Sequence, residues 1–433
     1  MSMSMSASAS AKSKSKTLQN EHFFRYTNGR WLWDEEKQLQ ERYRKFNVEE
    51  LKRIGAESIG AKSCVSITKL DEGGYNKVFK LVMDNGSVAI ARIPCPNAGP
   101  PFKTTASEVA TMDFARTILN IPVPKVHAWS AVSDDPVEAE YILMEEACGT
   151  SLGDVWENMG IHSKDKIVKD IVSIEQKLLS VSFSRLAPQD TIWKTTDTAR
   201  HVTWLSQYAP RETPPSVFQK SAAQESPDAH IALYKKYLDI SLYILPKDER
   251  MVRSTLWHWD LHASNLFVKD DQVTCIIDWQ SNWAGPLFVQ YRYPKIVHYA
   301  GEVVLRLPED YESIEGNEKV KASRQVERSL VQYLYGAKTK KKNPLLTNII
   351  DIPQRTNHMR DGEGFNEQAD FWDRLEGFIA RDGWTSNERY EEALEMFASI
   401  REEGLKQLTG EERLDFEKQS RWAQRSADRA DGS

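Results

Sequence analysis

"HWDLHASNLFVKDDQVTCIIDWQ", His258 to Gln280, is the stretch whose reading decides the fold. It sets histidines, carboxylates and an asparagine around a short apolar pattern. Asn265 follows Asp260 by five positions, and Asp278 comes thirteen positions later. Between them "LFVKDDQVTCIID" reads as a hairpin: strand 266–268, a turn at Lys269-Asp270-Asp271-Gln272, and strand 273–277. The hairpin folds the chain back, so Asp278 returns beside Asn265. A carboxylate and an amide oxygen converging there suit magnesium, a hard cation that takes oxygen ligands and keeps waters and nucleotide phosphates. Asp260 is left to accept a hydroxyl proton or to orient the nucleophile. If "HWDLH" is instead a strand, His258, Asp260 and His262 alternate onto one face, and a zinc-dependent hydrolase becomes the competing reading. The other histidines are scattered singly and supply no second cluster.

Outward from this stretch, the hydrophobic period divides the chain. "SCVSITKLDEGGYNKVFKLVMDNGSVAIARIP" is rich in β-branched and aromatic residues and reads as a meander. Its strands lie near 64–70, 76–83 and 87–93, joined by a Gly-containing turn at 72–75 and a turn at Asp84-Asn85-Gly86-Ser87. "TTASEVATMDFARTILN" predicts a helix capped by Thr105 or Ser107, with Val109, Met112, Ile118 and Leu119 as its apolar positions. "AEYILMEEACGTSLGDVW" reads as a buried strand ending in a polar link. Beyond it the pattern is helical: "DKIVKDIVSIEQKLLS" aligns Ile167, Ile171, Ile174 and Leu178 in one stripe.

Ahead of the meander, "FFRYTNGRWLW" reads as an aromatic anchor, followed by helices over "EEKQLQERYRKF" and "NVEELKRIGAESIG", the second capped by Asn47. The order predicts an α+β arrangement in two lobes with a cleft where they meet. Residues 1–20 form a low-complexity tail expected to be disordered, 21–60 a helical extension, 61–146 the β-rich lobe and 147–433 the helical lobe. The last lobe contains the catalytic loop 256–288. It also contains charged C-terminal helices expected to cap it, and a basic "KTKKK" loop at 338–342.

"HWDLHASN" followed by "IIDWQ" resembles the catalytic and metal loops of the aminoglycoside phosphotransferase and choline-kinase-like family, whose usual form is HGDLHxxN … IDW/IDF. The resemblance implies a protein-kinase-like bilobal fold, with a small β-rich N-lobe and a larger, mainly helical C-lobe. It implies transfer of the ATP γ-phosphate to a hydroxyl of a small molecule, with Asp260 as catalytic base and Asn265 and Asp278 as magnesium ligands. Trp259 stands where the family has Gly or a small residue; it either narrows the acceptor pocket or packs in the core.

The same resemblance asks the N-lobe for a phosphate cover, a cation and an acid to hold that cation. Gly73 and Gly74 supply a turn in which backbone N–H groups can approach phosphate oxygens, with Asn76 just beyond; as a bare motif it is also simply a hairpin turn. "VAIARIP" carries Arg92 where the family has Lys, and Glu108 is its expected partner. Guanidinium is a broad fork where ammonium is a point charge, so nucleotide pose, tuning or catalysis itself can differ. Glu145, Glu146 and Ala147 occupy the place of the inter-lobe hinge facing adenine. Acidic or polar residues of the helical lobe are expected to choose the acceptor. "EGGYNKVFKL", "AGPPFKTTASEV", "IPVPKVHAWS" and "IIDWQSNWAGPLFVQ" are similar to a fungal group of this superfamily named for altered inheritance of mitochondria, which also has Arg in place of the strand Lys.

Composition restricts the remaining classes. The 433 residues carry a net charge of −6 without one long basic block, which argues against a nucleic-acid binder. No run approaches the roughly eighteen apolar residues of a membrane span. The four cysteines form no CxxC pair and read as small apolar residues in a reducing compartment. No charged and then apolar leader marks secretion; the Ser-rich, acid-poor opening is compatible with a mitochondrial transit segment but lacks Arg, leaving mitochondrial and cytoplasmic readings open. A catalytically weak pseudokinase that keeps nucleotide affinity is the alternative to a kinase.

Overall fold

The computed structural model describes residues 20–183, 226–349 and 372–423, apart from 245, 247, 300, 348, 373, 374 and 376. All but the last residue of the expected tail lies outside the described residues, as do parts of the expected helical lobe. No helix among the described residues is long and apolar enough to cross a membrane.

The β-branched run forms a five-stranded antiparallel sheet in the order β2-β3-β4-β6-β5. Its strands are β2 (Cys64–Glu72), β3 (Asn76–Met83), β4 (Val88–Pro94), β5 (Val126–Ser130) and β6 (Tyr141–Met144). Asn76 pairs with Pro94 and Val78 with Arg92, a register that sends Arg92 toward the cleft while Phe79, Ala91 and Ile93 are buried. That buried face packs on the N-terminal extension. Phe23, Phe24, Phe46 and Leu51 join Phe79, Leu81 and Leu143 in one core. Helix α1 (Val48–Ser58) begins where Asn47 accepts the Glu50 N–H, as its sequence predicts. The helix expected over 35–46 stops at Glu41. Arg42 is instead drawn inward, its guanidinium 4.4 Å over the Trp31 ring, and Phe46 is pulled into the core.

Helix α2 (Lys103–Thr117) corrects the expected cap: it starts before Thr105 and Ser107. Glu140, from a distant loop, accepts the Phe102 N–H at 3.1 Å and the Thr105 hydroxyl at 2.6 Å, so a tertiary carboxylate replaces a local cap. Val109, Met112 and Leu119 are buried, but Ile118 is exposed.

The helical lobe is built on α3 (Ile161–Leu179) and α4 (Gly316–Lys342), which pack together over Ile167, Ile171, Val331 and Tyr335. The "KTKKK" segment is the last turn of α4 and not a loop. Thr339 is buried there, Lys338 pairs with Asp165 at 2.8 Å, and the lysines lie at the helix end that favours cations. Two small sheets complete the lobe: β7 (Thr150–Ser151) joins the hairpin of β9 (Leu266–Lys269) and β10 (Gln272–Ile276), and β8 (Ser254–Leu256) pairs with β11 (Ala284–Pro286).

The C-terminal helices α5 (Tyr390–Gln407) and α6 (Gly410–Gln419) do not cap that lobe. Strand β12 (Trp384–Thr385) pairs antiparallel with β1 (Arg30–Trp31), and Leu32 and Trp33 share a separate cluster with Ile379, Leu394, Phe397 and Trp422. The two ends of the described chain thus form one aromatic unit.

Candidate functional site

The hairpin follows its turn residues. Asp270 and Asp271 both take left-handed φ, 53° and 60°, a conformation Asp tolerates in tight turns. The return is closed where the Ile277 N–H donates to the Asn265 carbonyl at 3.0 Å. Asp278 follows at φ 61°, an unusual conformation for a residue with a side chain and one met at functional sites.

Residues 258–262 form a turn and not a strand, which removes the alternation that the zinc reading needed. His258 is buried against Trp279, and its Nε2–H donates to the Ile277 carbonyl at 3.0 Å. Burial lowers its pKa, so the ring is a neutral brace across the hairpin. His262 is turned elsewhere. The Ser264 N–H donates to its Nδ1 at 3.2 Å, and its Nε2 stands 3.1 Å from Asn265 Nδ2 and 3.3 Å from Asp260 Oδ2. Lys295 donates to Asp260 Oδ1 at 3.0 Å. The His262 hydrogen bond, then the Lys295 ammonium, hold the Asp260 carboxyl well below its usual range.

Asn265 Nδ2 donates to the Asp260 carbonyl at 2.9 Å. Its Oδ1 makes no hydrogen bond to the described residues. Asp278 Oδ1 accepts from Arg92 at 2.6 Å. An amide oxygen and a carboxylate on the two ends of one hairpin are the hard oxygen donors that a magnesium ion takes.

A cleft of about 370 Å³ lies between the five-stranded sheet and this hairpin. Gly73, Asn76, Arg92, Glu108, Glu145, Glu146, Ala147, Asn265 and Asp278 all line it, with apolar walls from Val78, Ile90, Met112, Met144, Phe267 and Ile277. Gly74 does not; its carbonyl accepts from Asn97 Nδ2 at 3.1 Å. Neither Gly73 nor Gly74 has a left-handed φ, and a Cβ at Gly73 would meet no atom within 4 Å. The turn itself therefore does not require glycine at 73; what the missing side chain provides is open space.

Arg92 organises the cleft. One nitrogen bonds Glu108; the other donates to Asp278 at 2.6 Å and to Gln280 Oε1 at 2.8 Å. Burial pushes Glu108 up to about 6, with Arg92 pulling it back. Gln280 is a residue that motif spacing did not single out. Its Oε1 also accepts from Asn76 at 2.5 Å, and its Nε2 donates to the Ala98 carbonyl at 3.0 Å, so it fastens the sheet to the hairpin. Lys295 was missed as well, since nothing local marks a lone lysine as the partner of Asp260. Trp259 faces away from the cleft: its Nε1–H donates to Gln290, its ring lies 6.1 Å from that of Trp283, and Arg292 covers it at 4.7 Å. Core packing, and not a narrowed pocket, accounts for it.

This geometry is that of a phosphotransferase domain. The model of the Phosphotransferase enzyme family (APH) matches residues 66–287, just over half of the chain, and the chain belongs to that family. It is 30% identical, over 67% of its length and 73% of the relative's, to a subtelomeric hrmA-associated cluster protein of Aspergillus fumigatus. To altered inheritance of mitochondria protein 9 of Yarrowia lipolytica it is 31% identical over 38% of this chain and 31% of that one. Among solved structures, a putative aminoglycoside phosphotransferase of Ralstonia eutropha aligns over 68% of this chain and 81% of its own, at 17% identity and a TM-score of 0.42.

Proposed function

We propose that the chain is a magnesium-dependent kinase that moves the γ-phosphate of ATP to a hydroxyl of a small molecule. The observation that carries this reading is the position of Asn265. It is bonded on one side to Asp260 and on the other, through its carbonyl, to the residue preceding Asp278. One residue thus couples the base to the metal ligands. In this reading the adenine sits against the apolar walls near Glu145–Ala147, and the phosphates use the space at Gly73. Arg92, held by Glu108, supplies the cation. Asn265 Oδ1 and Asp278 would hold magnesium, which would supply positive charge to offset that of the phosphates. Asp260 is a weak base where it stands; it orients the hydroxyl and takes its proton as the oxygen–phosphorus bond forms. The name of the Yarrowia lipolytica relative supports a place in mitochondria.

One observation favours a second reading. Arg92 holds Asp278 itself, and a chain locked in that bond would bind nucleotide without transferring phosphate. Turnover of ATP against a panel of hydroxylated metabolites separates the two. On the kinase reading, Asp260→Asn lowers turnover by about 10²–10⁴-fold while ATP affinity stays near wild type. Unchanged turnover in that variant sinks the mechanism. Binding with no transfer to any acceptor supports the pseudokinase.

A further inference from the structure

A second cavity, about 420 Å³, lies on the helical-lobe side of Asp260 and shares no lining residue with the nucleotide cleft. Its wall includes both groups that grip the Asp260 carboxylate, His262 and Lys295. A molecule seated there lies against the base's own partners, where an acceptor must be.

The charge of this wall is one-sided. Among the described residues it carries four permanent cations, Lys164, Lys295, Arg324 and Arg328, against two carboxylates, Glu157 and Glu327. Both carboxylates are already engaged: Lys164 bonds Glu327 at 2.7 Å, and Glu157 lies 4.0 Å from Arg328. Arg324 has no carboxylate partner among the described residues. An amine-bearing acceptor would meet like charge, whereas an anion would find the Arg324 guanidinium unclaimed by a carboxylate and the Lys295 ammonium shared only with Asp260.

Resting on the kinase reading above, we infer that the phosphate acceptor is itself an anion: a small molecule with a phosphate or carboxylate group beside the hydroxyl that is phosphorylated. Lys295, Arg324 and Arg328 hold the anionic group, and the hydroxyl turns to Asp260. The acceptor oxygen bonds to the γ-phosphorus as the bond from that phosphorus to the β,γ-bridging oxygen breaks. ADP leaves with the bond electrons, and the hydroxyl proton passes to Asp260.

The test is calorimetry on the full chain with the nucleotide cleft filled by magnesium and AMP-PNP. The probes are glycerol 3-phosphate, glycerate, glycerol and glucosamine. The expected result is that at least one of the two anions binds about tenfold or more tightly than glycerol, and glucosamine binds no better than glycerol. Comparing the two anions tells phosphate from carboxylate. Arg324→Glu should weaken the anion by about tenfold, with Arg324→Lys restoring part of it and AMP-PNP affinity unchanged in both. The inference is overturned if neither anion binds, if glycerol or glucosamine binds as well as the anions, or if Arg324→Glu leaves anion affinity intact. Failure of the kinase reading looks different: AMP-PNP does not bind, or the anions bind and no hydroxylated molecule is phosphorylated from ATP.

Discussion

A lysine at position 92 would place its three donors on one nitrogen; the guanidinium there spreads its donors, reaching Glu108 from one nitrogen and Asp278 and Gln280 from another. The Lys-to-Arg exchange therefore changes what the cleft is fastened to, and Gln280 is the residue that shares the load. Its amide joins Asn76, Arg92 and Ala98 through three hydrogen bonds. Gln280→Ala deletes them without removing a charge. At about 0.5–1.5 kcal/mol net for a typical bond, and with water able to replace some, the expected loss is about 1–2 kcal/mol in urea unfolding. Nucleotide affinity should fall with it, because Asn76 and Arg92 lose a common anchor; a melt unchanged within error would show that the junction is idle. Asn47 and the Asp270-Asp271 turn were legible in the sequence because their roles are set within a few residues. Gln280 was not, since its partner Asn76 is 204 positions away, and neither was Lys295, which reaches back 35 positions to Asp260.

At the scale of elements, strands and amphipathic helices were readable from their period, and their ends were not. Helix α2 begins early because Glu140 caps it from another element, and the helix at Glu35–Glu41 ends early because Arg42 and Phe46 have buried places to fill. The pairing of β1 with β12 has no sequence signature at all, being two residues long on each side. Its fit is nonetheless tight. A Cβ at Gly29 would fall 2.4 Å from Trp384 Nε1 and 2.6 Å from the Thr385 carbonyl. Trp31 Nε1 donates to Asp382 at 3.1 Å and Trp384 Nε1 to Tyr26 at 2.8 Å, so the strand cannot slide without breaking bonds. Gly29→Ala is expected to displace β12 at a cost of about 1–3 kcal/mol. Limited proteolysis should then release the segment 372–423 earlier than in wild type. Equal digestion rates would mean that the clash relaxes locally and that the aromatic unit is not held by this strand.

At the scale of the whole molecule, a buried carboxyl in the helical lobe ties stability to pH. Glu175 on α3 lies in the core of the helical lobe, 1% exposed, and accepts a hydrogen bond from Tyr335 at 2.8 Å. Tyr335 in turn is 3.0 Å from the Tyr291 hydroxyl, and no basic side chain joins the three among the described residues. Burial without a cation raises Glu175 from its ordinary 4.5 to about 8, with the Tyr335 bond opposing the rise. The sign follows from linkage: a carboxyl raised on folding binds its proton more tightly in the native state. Its contribution to stability is complete below about pH 4.5 and is lost as pH climbs through about 8. Glu175→Gln keeps an acceptor for Tyr335 and cannot ionise. The variant should show a flatter dependence of Tm on pH between about 4.5 and 8. Above pH 8 it should melt higher than wild type by about 2 °C or more. A wild-type slope that persists in the variant would place the titrating group elsewhere. Because α3 and α4 carry Lys164, Arg324 and Arg328 on the cavity beside Asp260, ionisation of Glu175 between them loosens the frame of that cavity. The same pH rise is therefore expected to weaken glycerol 3-phosphate binding in wild type more than in Glu175→Gln.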